Sequence, residues 1–168
     1  MDKVFALNHN VDQFNLFTDT GKKFNSKIFS NFPSVIFFGF LNCPDVCPTT
    51  LTNISQVIEK LGEDKNKVKF YFVTVDPERD NINNIRGYLD IFNNQIIGVT
   101  GNPEDIGNFL KYMYVFSEKV YLSENEYTVD HSSNVFLFNK NGSFFGTLSL
   151  SEKDKIILEK MKKLIIGA

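Results

Sequence analysis

Apolar residues along this chain change period several times, and the changes mark its elements. Three short runs, at residues 34–40, 68–75 and 96–100, are almost continuously β-branched or aromatic, as strands buried on both faces are. Between them the spacing turns helical. Leu51, Ile54, Val57, Ile58 and Leu61 predict a helix over 48–61 that stops at Gly62. Ile82, Ile85, Leu89 and Phe92 predict a second, capped by Asp80 or Asn81. Asn102 followed by Pro103 opens a third, running to about residue 115. In that helix Ile106, Phe109, Leu110 and Met113 share one face, so Met113 reads as core rather than as a soft metal ligand.

Both ends of the chain carry hairpin signals. Phe14, Leu16 and Phe24 flank Asp19, Thr20 and Gly21, which predicts an N-terminal β-hairpin. Runs at 135–138 and 144–147 are joined through Asn141 and Gly142, a strong turn signal. Ser151 then opens a terminal helix with Ile157, Met161, Leu164 and Ile165 on one face. Strands alternating with helices and finishing in an antiparallel hairpin predict a three-layer α/β domain around a mixed sheet.

With 168 residues and 42% hydrophobic content, one domain spanning 1–168 is expected, with residues 1–12 as a flexible lead-in. His9, on that polar lead-in, reads as solvated. A net charge of −2 with scattered lysines and only two arginines, Arg79 and Arg86, gives no basic surface for nucleic acid. Residues 1–12 show no signal pattern, and no apolar run approaches the roughly 18 residues of a membrane span. The chain is therefore expected to be soluble, either cytosolic or the excised part of a longer protein.

The candidate chemistry lies where the first central strand breaks into Leu41, Asn42, Cys43, Pro44, Asp45, Val46, Cys47 and Pro48. These are the chain's two cysteines, at a strand-to-helix junction where helix N–H groups stabilise a thiolate. One helical turn apart, their Cα atoms would stand roughly 6 Å from each other, within disulfide range. The same pair could close on a metal. Sites in such sheets form beyond the carboxyl ends of the strands, and His131, just before the strand at 135, is the candidate third group. Two thiolates and an imidazole suit copper. Zinc remains open by ligand type, with Asp45 or Asp130 as a fourth ligand, and Asp130 is better placed to support His131 from outside the metal's own ligands. The acidic turn Asp76, Pro77, Glu78, Arg79, Asp80 reads as a strand exit leading to a helix cap.

Three motifs in order, CPDVCP, DPERD and VDHS ahead of a strand and hairpin, together resemble the Sco/SenC family of copper-binding proteins for cytochrome oxidase assembly. The likeness runs from about Val11 to the end of the chain. It implies a thioredoxin-like fold with an added N-terminal hairpin, and places Cys43, Cys47 and His131 on the family's copper ligands. It further implies one copper per chain, as Cu(I) or Cu(II), held by a metallochaperone that serves the binuclear copper site of cytochrome c oxidase subunit II and could also reduce its cysteines. An upstream copper donor would be a second partner. The expected setting is the periplasm or the mitochondrial intermembrane space, usually with a membrane tether, for which residues 1–168 hold no apolar run of sufficient length. Phe40, Leu41 and Asn42 depart from the Tyr and Thr more often found before the cysteines in that family.

Two other classes remain open. A thiol-disulfide oxidoreductase of thioredoxin-like type would use Cys43 and Cys47 as its redox pair. Against it stand the CxxxC spacing, one residue longer than CxxC, and the absence of a proline among Ser132, Ser133 and Asn134. A redox or copper sensor would use the same residues. A peroxiredoxin is excluded, since it would need Thr three residues before its cysteine.

Overall fold

The computed structural model describes residues 6–7, 9–43 and 46–167, leaving aside the side chains of His9, Val46 and Cys47. Six strands form one sheet in the order β1-β4-β3-β2-β7-β8. β2 (Ser34–Gly39), β3 (Lys69–Thr74) and β4 (Ile96–Gly101) are parallel. β1 (Leu16–Thr18) joins β4 antiparallel, and β7 (Val135–Phe138) and β8 (Phe144–Leu148) continue antiparallel beyond β2. The sheet is mixed, as expected, and all six residues of central β2 are buried.

One face of the sheet packs α1 (Val46–Lys60), α2 (Ile82–Asp90) and α4 (Asp154–Ile166) through Leu51, Ile54, Ile85, Leu89, Ile157 and Met161. The other packs α3 (Pro103–Tyr112) through Ile106, Phe109 and Leu110, together with Phe14, Phe24 and Phe29. Helices on both faces make the three layers. Met113 is fully buried in the second cluster, as its place on the α3 face requires.

Several boundaries differ from the sequence expectation, for local reasons. The N-terminal hairpin turn is present: Thr18 and Lys22 close it (N to O 2.8 Å), with Gly21 at φ +82°. Its return arm is short, with a bridge between Phe17 and Lys23 and the Phe24 N–H bonded to the Leu16 carbonyl at 2.9 Å. Residues 1–12 were expected as a lead-in, yet Ala6, Leu7 and Val11 are buried, and a 3-10 turn spans His9–Gln13. Leu7 and Val11 pack in the cluster that contains Phe14. α1 starts at Val46, so Pro48 lies in its first turn, where a missing N–H costs nothing. α4 starts at Asp154, not at Ser151, whose hydroxyl instead bonds Ser149 in the preceding turn.

The largest omission from the sequence expectation is a separate two-stranded ribbon, β5 (Ser117–Tyr121) with β6 (Tyr127–His131). Four of the five β5 residues are exposed, so no apolar alternation marks it. Among the described residues no helix is long and apolar enough to cross a membrane.

Candidate metal centre

β2 and β3 run parallel and end side by side at Gly39 and Thr74. The chain leaves β2 through Phe40, whose side chain is buried and whose carbonyl accepts the Cys43 N–H at 3.3 Å. That turn places half-buried Cys43 against the apolar cluster that also contains Phe40, Tyr127 and Val129. Cys43 therefore precedes the helix, while Cys47 is the second residue of α1. The cysteines do not span one helical turn; they straddle the loop-to-helix junction. Pro44 and Asp45 lie outside the described residues.

His131 closes β6, and its ring meets Phe40 edge-on, with centroids 5.8 Å apart. Phe40 is thus one contact between the histidine ribbon and the cysteine loop. The Nδ1 of His131 lies 2.8 Å from the Ser132 carbonyl. A carbonyl can only accept, so Nδ1 is the donor, an arrangement that in the neutral ring leaves the Nε2 lone pair for a metal. The base of the ribbon is pinned by Ser132 N–H to the Phe116 carbonyl and by Phe116 N–H to the Ser132 hydroxyl, each 3.0 Å. Asp130 does not support the ring. Side chains alternate along a strand, so with Val129 buried on the inner face Asp130 points to solvent, and the Ser132 carbonyl takes the supporting role. Among the described residues, no cluster of three or more His, Cys, Asp or Glu side chains is assembled; the Cys47 side chain is outside that set.

Sequence reasoning underestimated the turn after β3. Asp76 and Asp80 are both buried. Asp80 Oδ2 accepts the Leu41 N–H at 3.1 Å and the Thr74 hydroxyl at 2.7 Å, tying the β3 exit to the cysteine loop. Asn81, not Asp80, caps α2, accepting from the N–H groups of Asn83 and Asn84. Burial raises the Asp80 carboxyl to about 6; the bonds from Thr74 and Leu41 oppose the shift, and the charge of Asp76 adds to it. A raised acid pKa means that the folded state holds this proton more tightly than the unfolded chain. The associated stability is complete below the unfolded value of 3.8 and is lost as pH rises through about 6. The two-unit difference bounds the effect at about 3 kcal/mol. Asp80→Asn should flatten this part of the profile, which urea unfolding of both proteins between pH 4 and 7 would measure. An unchanged slope would refute the assignment.

Geometry and topology define the class: a thioredoxin-like α/β protein carrying a cysteine pair and a histidine beyond the carboxyl ends of its central strands. The family model described as SCO1/SenC matches residues 6–166, and the chain belongs to that family. A SCO2-like protein of Rickettsia felis is 34% identical over 151 residues, covering 89% of this chain and 74% of that protein. The structure of Bradyrhizobium japonicum ScoI with copper bound superposes with a TM-score of 0.84 at 34% identity, covering 90% of this chain and 96% of that one. Copper-bound yeast Sco1 gives 0.83 at 29% identity, covering 92% and 87%.

Proposed function

We propose that this protein binds one copper ion through Cys43, Cys47 and His131 and delivers it to the binuclear copper site of cytochrome c oxidase subunit II. The observation that carries this reading is the edge-on contact of His131 with Phe40, which joins the histidine ribbon to the loop bearing the cysteines. The donor set fits the cargo. Two thiolates stabilise Cu(I), the added imidazole accommodates Cu(II), and hard cations that prefer carboxylates are poorly served. A closed structural zinc site would need a fourth partner, and Asp130, one of the two candidates, faces away.

A carrier needs a site from which an acceptor's thiolates can take the metal, through a shared intermediate rather than through free ion. Half-buried Cys43 on a loop and half-buried His131 on a separate ribbon have that character. The same cysteines, joined as a disulfide, could not hold the ion, so oxidation would switch delivery off. We place the protein in the periplasm or the mitochondrial intermembrane space, in keeping with the mitochondrial proteins among its relatives.

Copper-loaded protein mixed with the soluble copper domain of subunit II should transfer its metal even with a competing chelator present. A thiol-disulfide oxidoreductase should instead reduce insulin with many turnovers. Efficient insulin reduction without transfer would replace the carrier reading with the enzyme one.

A further inference from the structure

Among the described residues, no hydrogen-bonded strand pairing joins the two halves of the site. The cysteine loop grows out of the main sheet, whereas the β5–β6 ribbon forms its own two-stranded sheet. Beneath the ribbon lies a cleft of about 250 Å³ bordered by Pro77, Glu78, Ile106, Leu110 and Val129. Side chains must therefore set the ribbon's orientation, and with it the place of His131.

The turn Asp76 to Asp80 reaches both halves. Towards the ribbon, Arg79 stacks on the Tyr127 ring, 3.8 Å from its centroid, and donates from Nη1 to the Tyr127 carbonyl at 3.0 Å. Asp76 accepts from Arg79 Nε through one oxygen and from the Tyr127 hydroxyl, at 2.7 Å, through the other. The planar guanidinium is thus fixed on one edge by a buried carboxylate and on its face by the ring it positions. Tyr127 begins the strand that His131 ends. Glu78 adds an exposed ion pair to Lys119 of β5 at 2.7 Å, a contact of small individual weight. Towards the cysteines, Asp80 holds the Leu41 N–H, two residues before Cys43. Thr74 links the two arms, because its oxygen donates to Asp80 and accepts the Asp76 N–H at 2.9 Å.

We propose that this turn is a positioning clasp, in which Asp76 and Arg79 orient the ribbon bearing His131 and Asp80 orients the loop bearing Cys43, so that the two halves of the site keep one mutual geometry. The inference rests on the proposed ligand set for its copper readout only. The division of labour is separable, since Arg79 and Asp80 leave the turn in different directions.

The test uses hydrogen exchange on the reduced, metal-free protein, beside Cu(II) electron paramagnetic resonance and Cu(I) competition titration. Arg79→Ala should speed amide exchange in residues 117–131 at least tenfold relative to the central strands and disperse the nitrogen coupling of His131, while changing Cu(I) affinity less than threefold. Tyr127→Phe, which keeps the ring and loses only the bond to Asp76, should do the same more weakly. Asp80→Ala should speed exchange at Leu41 and Cys43 and leave the ribbon unchanged. Asp80→Asn should restore it, because both bonds fall on a single oxygen that an amide can supply. Exchange that rises uniformly over the whole fold, or in neither segment, would overturn the clasp. If the parent protein shows no nitrogen coupling from His131, the ligand assignment fails while exchange still decides the clasp.

Discussion

Replacing Cys43 or Cys47 with alanine is expected to abolish tight Cu(I) binding, and this is the largest single-residue effect on function. Cu(I) is a soft ion, and each thiolate supplies both charge and a polarisable donor that no neighbouring group replaces. Removing one leaves a thiolate and an imidazole, so the loss should exceed the roughly 10–100-fold typical of changes to groups that only support a ligand. His131→Ala should differ in kind: Cu(II), which favours imidazole more strongly, should weaken most, with Cu(I) retained on the cysteine pair. Competition against a Cu(I) chelator and a Cu(II) chelator separates the two. Parent-like Cu(I) affinity in either cysteine variant would remove the cysteines from the site.

The largest effect on stability near the site is expected at Phe40. Its ring is buried, packs in the cluster with Tyr127 and Val129, and meets His131 edge-on. Phe40→Ala loses that burial and leaves a cavity that the surrounding strand ends cannot close, for about 3–5 kcal/mol. In a chain of this size the melting temperature should fall by roughly 10 °C. Phe40→Leu keeps much of the apolar bulk and should keep the fold, isolating the loss of the ring contact to His131. Calorimetry on the metal-free reduced proteins measures the first effect, and Cu(II) spectroscopy of Phe40→Leu measures the second. A Phe40→Ala variant melting within about 2 °C of the parent would mean that the ring contributes little to the cluster.

Local periodicity was sufficient for the central strands, the four helices, the hairpin at Asn141 and Gly142, and the apolar faces that make the two cores. Each of these is specified by which neighbours along the chain are apolar, which the linear order states directly. The positions of Cys43 and Cys47 at a strand-to-helix junction were legible for the same reason. The β5–β6 ribbon was not, because nearly all of β5 is exposed and a strand with both faces wet leaves no alternation to detect. Asp76 and Asp80 in an acidic turn look solvated in the linear sequence. Only the folded chain buries them, by bringing Leu41, Arg79 and Tyr127 within bonding distance. Nor could adjacency in sequence say which group supports His131: Asp130 stands next to it in the chain, yet the pleat of β6 turns Asp130 to the opposite face and leaves the Ser132 carbonyl on Nδ1. Contacts between residues far apart in the chain depend on how strands pair and how the ribbon folds over the cysteine loop, so they exist only in the tertiary structure.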